Sequence, residues 1–280
     1  MNLQRAIDNL FAAQIEEWPQ LNDAAARHQQ VRERSISWGD DFKIRLQYNP
    51  ARSISSTASI EQEVIGQRPC FLCESNRPPL QRGIPFLEKY IILCNPYPIL
   101  PNHLTIPLHS HVPQRIGKKA GEMLQLAEQL PDYVIFYNGP ACGASAPDHF
   151  HLQAGLKMPE LLQGDNELRS CMMIESDSMQ EAEELFYDVY SYLQGRQPGK
   201  EEPMLNLIAF TNNNRYHLHL FPRKAHRPRQ YFETGERQLI VSPGALDMAG
   251  LMIMVREEDF NKLNRHDIED IYSQVSMPVI

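Results

Sequence analysis

No stretch of this 280-residue sequence is apolar for long enough to cross a membrane. The opening residues, Met1-Asn-Leu-Gln-Arg-Ala-Ile-Asp8, hold no apolar signal core, so a soluble, cytoplasmic protein is expected. Positive charge is scarce. With 27 Lys and Arg against 35 Asp and Glu, the formal net charge is -8, which argues against a general nucleic-acid coat. An anionic substrate would need Arg and Lys concentrated locally. The five cysteines are an odd number, and Cys70-Phe-Leu-Cys73 has no second Cys-x-x-Cys to match it. A disulfide framework is therefore not the reading; a metal or redox use is. Hydrophobic content of 42% is ordinary and suffices for one large domain or two small halves.

The chain is organised around Asn138-Gly-Pro-Ala-Cys-Gly-Ala-Ser-Ala-Pro-Asp-His149-Phe-His151-Leu-Gln153. A β-rich run, Asp132-Tyr-Val-Ile-Phe-Tyr137, leads into it. Residues two apart on a strand share a face, so His149, His151 and Gln153 point one way while Phe150, Leu152 and Ala154 point into the core. Three polar groups on one face of a buried strand need partners or a task. The loop ahead of them is Gly, Ala and Ser, whose backbone amides can approach an anion closely.

This stretch resembles the active-site strand of the histidine-triad superfamily, in the transferase branch where glutamine replaces the third histidine. That branch holds galactose-1-phosphate uridylyltransferase, the dinucleoside tetraphosphate phosphorylases and GDP-L-galactose phosphorylase. The spacing from Asn138 through Gly143 and Ser145 to His149 matches the uridylyltransferase pattern without a gap; Asp148 stands where the relatives carry an apolar residue or proline. The resemblance implies an α+β fold of duplicated histidine-triad-like halves, an antiparallel sheet with helices packed on it.

Along the chain, apolar spacing predicts helices over residues 2–16 and 22–34, both as cover for a sheet. Asp41 to Tyr48 alternates as a strand and runs into Asn49-Pro-Ala-Arg52. By the resemblance, Arg52 is the candidate phosphate clamp, its planar fork of donors suited to phosphate oxygens. Residues 53–60, rich in Ser and Thr, read as a mobile loop. Cys70 and Cys73 can grip one metal ion from a tight turn, and two histidines must complete a zinc site. The resemblance names His149 and His109, with His111 as a close competitor, for a structural zinc. Lys89 to Cys94 and His103 to His109 read as a hairpin. The resemblance places the nucleotide's base and ribose at its corner, which makes Asn95, Pro96 and Tyr97 candidate contacts.

Further helices are expected over 116–130, 158–163 and 178–195, with an exposed linker from Gln194 to Pro203. The second half repeats the theme: a strand from Met204 to Thr211, then Arg215-Tyr-His217-Leu-His219-Leu-Phe-Pro222-Arg223-Lys224. We read a duplicated unit, degenerate in its second copy. The expected organisation is helical cover over 1–40, a catalytic half over 41–195 and a degenerate half over 196–280. Family relatives carry a second metal at the matching His-x-His-x-x-Pro, but its full ligand set is not evident here. His217 and His219 read as structural or substrate-facing, and Arg223 and Lys224 as candidates to meet phosphate. Val241 to Ile253 reads as a Gly-rich turn opening a strand or substrate lid, and the last helix lies near 257–273.

The chemistry the resemblance implies is double displacement. His151 attacks the α-phosphorus of a nucleoside diphosphate compound, and the resulting nucleotidyl-histidine passes its nucleotide to inorganic phosphate or a sugar 1-phosphate. Gln153 donates to the phosphoryl oxygens, Ser145 with the amides of Gly143 and Ala144 cradles a neighbouring phosphate, and Asn138 braces the loop or the nucleophile. Glutamine cannot transfer a proton, so leaving groups should be phosphates, which favours a transferase or phosphorylase over a hydrolase. The expected substrates are a nucleotide sugar or a dinucleoside polyphosphate, with no nucleic acid or membrane partner and a homodimer allowed. Three rivals stand: a histidine-triad hydrolase, a zinc-stabilised nucleotide-sugar-binding module, and a Cys-x-x-Cys redox protein.

Overall fold

The computed structural model describes residues 2–38, 42–53, 65, 68–163 and 168–279. The Ser/Thr-rich stretch, past Ser53, lies outside the described residues, as does Asp41.

Eight strands form one antiparallel sheet: β3 (Gly83–Phe86), β4 (Tyr90–Cys94), β5 (Leu104–Pro107), β6 (Tyr133–Asn138), β7 (His151–Leu156), β8 (Met172–Ser176), β9 (Leu205–Asn212) and β10 (Arg215–Pro222). Their order is β3-β4-β5-β7-β6-β9-β10-β8. That order contains a repeat. The first unit is β5, helix α3 (Ala120–Gln129), then the hairpin β6-β7; the second is β8, helix α4 (Met179–Arg196), then the hairpin β9-β10. The units meet where β6 pairs with β9, with Phe136 opposite Ile208. Around that centre, Gln153 opposite Phe136 corresponds to His219 opposite Ile208, and His151 to His217. The mixed α+β architecture and the duplication agree with the sequence reading, but the second unit starts at β8, ahead of the expected boundary at 195/196, because β8 pairs with β10 and not with the first unit.

Both sheet faces are covered, which is why β6, Tyr133 to Tyr137, reads as a nearly continuous apolar run. One face carries Ile106, Tyr137, Phe150, Leu152, Leu218 and Leu220, packed against the apolar stripes of α3 and α4. In α3 the buried positions Ala120, Met123, Leu124 and Ala127 follow the i, i+3, i+4, i+7 spacing of one helix face. Each fully buried Leu or Met there contributes roughly 1.5–3 kcal/mol. The opposite face carries Val134, Phe136, Ile208, Phe210 and Phe221. Against it pack a second sheet and the last helix α7 (Arg265–Val275). The second sheet joins β1 (Arg32–Trp38), β2 (Phe42–Tyr48) and β11 (Leu251–Met254).

Three expectations need correction. The second helix, α2 (Pro19–His28), stops well short of residue 34, because Arg32 begins β1. In β1 the alternation that places Ile36 and Trp38 on one face, in full register with β2, wins over the charged helical spacing. His149 and Phe150 lead into β7 rather than belonging to it. The last helix is two, α6 (Glu257–Lys262) and α7, because Asn264 starts a new capping box: its Oδ1 accepts from Asp267 N at 3.2 Å while Asp267 Oδ2 accepts from Asn264 N at 3.0 Å. Among the described residues no helix is long and apolar enough to cross a membrane.

Candidate active site

At the ends of β6 and β7 the strands part after Phe136 and Gln153. Buried Gln114 bridges the opening: its Nε2 donates to Asn138 O and His151 O, both at 3.0 Å, and its Oε1 accepts from His151 N at 2.8 Å. Twelve residues, Gly139 to Phe150, then fill the gap between the strands. Gly143 turns that loop at φ +97°, and a Cβ there would sit 3.1 Å from Gly244 Cα, so both conformation and space call for glycine.

The loop, β6 and β7 form one wall of a cleft lined by Asn138, Gly143, Ala144, Ser145, Gln153 and Arg52. Six residues singled out from the sequence thus meet in one place. The other wall comes from the second half: His226, Arg227, Ser242, Gly244 and Asp247. Of these, Ser242, Gly244 and Asp247 fall in the Gly-rich turn at 241–253, while His226 and Arg227 carry no motif that singles them out.

His151 has 2% of its surface exposed and does not itself line the cleft, but both residues beside it on that face, Asn138 and Gln153, do. Its Nδ1 lies 2.9 Å from His149 O, an acceptor only, so Nδ1 carries the proton. Burial pushes the imidazole down to about 4. At neutral pH the ring is uncharged, with its lone pair on Nε2, for which the described residues supply no hydrogen-bond partner. That is the state a nucleophile needs.

Gln153 is oriented by a residue the sequence reading did not single out. Buried His103 accepts at Nδ1 from Ile99 N at 3.1 Å, so its Nε2 carries the hydrogen and donates to Gln153 Oε1 at 3.0 Å. Burial holds His103 neutral, down to about 3. With Oε1 taken, Gln153 presents its NH₂ group as a donor. Asn138 is fixed the same way: its Oδ1 accepts from Ala245 N at 2.7 Å and Asn206 Nδ2 at 2.9 Å, which leaves its NH₂ for the cleft. Arg52 is half-buried on the cleft and donates to Tyr97 O at 2.9 Å. Burial lowers its guanidinium to about 10 against the nearby Asp247 carboxylate, still charged at neutral pH.

Cys70, Cys73, His111 and His149 gather with one ligand atom each, all within 4.8 Å of one another. Cys73 Sγ is 3.2 Å from His111 Nδ1, and Cys70 Sγ is 3.3 Å from His149 Nδ1. A tetrahedral ion with bonds of ~2.3 Å to sulfur and ~2.0–2.1 Å to nitrogen sets S···N separations near ~3.6 Å, so the four atoms suit one metal ion. His149 Nε2 donates to Leu108 O at 2.8 Å, which frees Nδ1 to bind.

Other sequence candidates are placed elsewhere. His109 is exposed, its backbone N–H bonded to Lys89 O, and it is outside the cluster; the turn after β5 brings His111, also exposed, against the cysteines instead. Arg223 is fully buried, with all five N–H donors taken by Val275 O, Asn206 Oδ1, Pro243 O, Ala225 O and His226 O. It holds the fold and has no donor left for phosphate. Lys224 is exposed and outside the cleft. Asn95, Pro96 and Tyr97 also lie outside it: Asn95 spends its amide on Thr105 Oγ1 at 2.9 Å and Tyr97 N at 2.8 Å, bracing the hairpin corner. His217 stacks on Phe210 at 4.8 Å, and no ligand cluster forms around it and His219 among the described residues.

The fold can be set beside known ones. It superposes on the crystal structure of yeast Ap4A phosphorylase Apa2 with a TM-score of 0.64 at 15% identity, over 99% of this chain and 98% of that one. The same yeast protein in complex with Ap4A gives a TM-score of 0.60 at 13% identity, over 94% of this chain and 97% of that one. Galactose-1-phosphate uridylyltransferase of Bacillus subtilis (strain 168) is 32% identical over 114 residues, 35% of this chain. The match spans only 22% of that relative's length. The chain shares the overall fold of the yeast Ap4A phosphorylase. By sequence it belongs to the family described as a domain of unknown function, DUF4922, whose profile matches residues 10–156, just over half the chain.

Proposed function

We propose that this protein is a cytoplasmic nucleotidyltransferase or phosphorylase acting through a covalent nucleotidyl-His151. The observation that carries the reading is the pairing of a neutral His151, its proton on Nδ1, with an oriented Gln153 beside a Gly-Ala-Ser loop. Support comes from the cleft's two guanidinium-bearing walls, Arg52 in one and Arg227 in the other.

In the first step His151 Nε2 attacks the α-phosphorus of a dinucleoside polyphosphate or nucleotide sugar. The N–P bond forms as the P–O bond to the leaving phosphate breaks, and the leaving group departs as a phosphate anion that needs no proton. The Nδ1 proton stays on the ring, held by His149 O. Gln153 donates to the phosphoryl oxygens as they gain charge, and Arg52 with Ser145 and the loop amides holds the neighbouring phosphate. In the second step an oxygen of inorganic phosphate or of a sugar 1-phosphate attacks the same phosphorus and the imidazole leaves. Zinc, which the Cys70-Cys73-His111-His149 donor set suits, would supply a rigid start to β7; it takes no part in bond exchange. That yeast Ap4A phosphorylase has been crystallised with AMP and with Ap4A supports a nucleotide or dinucleoside polyphosphate as substrate.

Intact-protein mass spectrometry after brief exposure to dinucleoside polyphosphates and nucleotide sugars, without phosphate, tests this. The expected result is one nucleoside monophosphate added to the wild type and none to His151→Ala. A label that persists on His151→Ala, or binding of both substrate classes without product, refutes the covalent reading and leaves a nucleotide-binding module.

A further inference from the structure

Asp148 lies beside the metal cluster and the cleft loop, and nothing in the two-step chemistry uses it. Its two oxygens point at two different elements. Oδ2 lies 3.6 Å from Nε2 of His111, whose Nδ1 faces Cys73. Oδ1 lies 3.3 Å from Nη2 of Arg68, and the same Nη2 donates to Ser145 O at 3.2 Å. The Arg68 guanidinium also lies over the ring of Phe71, at 5.1 Å, inside the Cys70–Cys73 turn. An isolated surface ion pair contributes almost nothing. Here the pair joins the metal turn and a metal-facing histidine to the backbone of the loop that lines the cleft. Of the two histidines in the cluster, His149 has its second nitrogen fixed by Leu108 O; for His111 the neighbouring acceptor is Asp148.

We propose that Asp148 is a positioning residue that ties the metal centre to the cleft loop, holding His111 for the metal on one side and, through Arg68, Ser145 on the other. A carboxylate on the far nitrogen of a metal-bound imidazole fixes its tautomer and orientation and raises its basicity. A carboxylate that also anchors Arg68 makes the loop's position depend on the occupied cluster. Binding at the two places is then coupled, and the coupling is reciprocal. The metal half of this proposal stands on the cluster alone; the loop half rests on the phosphate-binding reading above.

The test measures zinc affinity by competition with a chromophoric chelator, in the full chain, for wild type, Asp148→Asn, Asp148→Ala and Glu74→Gln. Glu74 lies on the same turn with its side chain 85% exposed, so its variant removes a nearby negative charge without touching His111. Asp148→Asn should lose about tenfold in zinc affinity and Asp148→Ala up to about a hundredfold, while Glu74→Gln stays within about twofold. AMP binding by calorimetry should tighten several-fold on zinc loading in the wild type and be indifferent to zinc in Asp148→Asn. Unchanged zinc affinity in both Asp148 variants, or an equal loss in Glu74→Gln, overturns the proposal. A wild type that binds zinc yet takes up no AMP under any loading contradicts the nucleotide reading of the cleft. It leaves the Asp148–His111 contact to be judged by the zinc arm.

Discussion

The two halves of the sheet repeat one plan, strand, helix and hairpin, with a His-x-His or His-x-Gln strand at corresponding places, yet among the described residues only the first hairpin parts to line the cleft. The hairpin connection accounts for the difference. Between β6 and β7 run twelve residues, turned by Gly143 and stapled by Gln114, so the strand ends part and Gly143, Ala144 and Ser145 line the cleft. Between β9 and β10 run only Asn213 and Asn214, both at positive φ (50° and 61°), the conformation of a tight two-residue hairpin turn. The ladder therefore continues to the end, from Leu205 opposite Pro222 to Asn212 opposite Arg215. Where the first half has Asn138 next to His151, the second has Phe210, and His217 stacks flat on it. Sharing a strand pattern did not confer a site; the loop length and one Asn-to-Phe difference decide it.

Removing the corresponding imidazoles is the strongest way to break that comparison. His151→Ala should lower turnover on the order of 10⁴–10⁶-fold, as loss of a nucleophile does. His217→Ala removes a ring from a partly exposed stack and should leave turnover within about threefold, with a stability loss of about 1 kcal/mol. Single-turnover assays and denaturant melts on both variants decide it. Comparable losses of activity would mean that the second half takes part in the chemistry.

The arginines offer a second contrast, in stability. Arg223→Met leaves five carbonyl-type acceptors without their donor, three of them buried, and at about 1–3 kcal/mol for each unsatisfied buried group the variant should lose at least about 3 kcal/mol. Arg52→Met should leave denaturant midpoints nearly unchanged and raise KM about tenfold, roughly 1.4 kcal/mol of substrate binding. If Arg52→Met unfolds the protein and Arg223→Met only weakens binding, the two roles are reversed.

The sequence made one of these arginines legible and hid the other. Arg52 follows a strand and a proline, a local pattern. Arg223 opens an Arg-Lys run that resembles a solvated face, but its acceptors come from residues 206, 225, 226, 243 and 275, a set that only the folded chain assembles. The same split runs through the site. The alternation around His149, His151 and Gln153 and the Cys-x-x-Cys spacing are short-range signals, and the structure gathers them around one cleft and one cluster. His109 and His111 sit in one turn two residues apart, both exposed, and nothing local says which reaches the cysteines. His103, Gln114, Ser242 and His226 carry no motif; each matters through what lies across the sheet or cleft from it. The helix expected over 22–34 failed for a related reason, since pairing with a distant strand claimed Arg32 to Trp38.

Gly143 and Asn213 both hold positive φ in the two hairpin connections, and substitution there should separate function from folding by a smaller margin. Gly143→Ala puts a Cβ 3.1 Å from Gly244 Cα at φ +97° and should cost about 1–2 kcal/mol, with turnover reduced about tenfold or more as the loop shifts. Asn213→Gly keeps its conformation at no steric cost and should stay within about 0.5 kcal/mol and at full turnover. Equal effects at both turns would deny the longer connection its special part.

The smallest effect belongs to the joint between the halves. Glu202 precedes β9, yet its carboxylate accepts from Ile116 N at 2.6 Å, just ahead of α3, and from the Tyr137 hydroxyl in β6 at 2.5 Å. Burial raises it from 4.5 to about 7, outweighing those hydrogen bonds, which pull the other way. In the folded chain Glu202 thus binds its proton below about 7, and in the unfolded chain only below its ordinary value. Between the two the native state holds more protons, so stability is greatest on the acid side and declines as pH rises through about 4.5 to 7. Glu202→Gln keeps a neutral group of the same size there and should flatten that decline, with zinc affinity and turnover unchanged because neither the cluster nor the cleft touches residue 202. Denaturant melts at several pH values across the window read the slope directly. Parallel curves for wild type and variant would show that the seam between the halves carries no proton-linked strain and that the pH dependence of stability arises within one half alone.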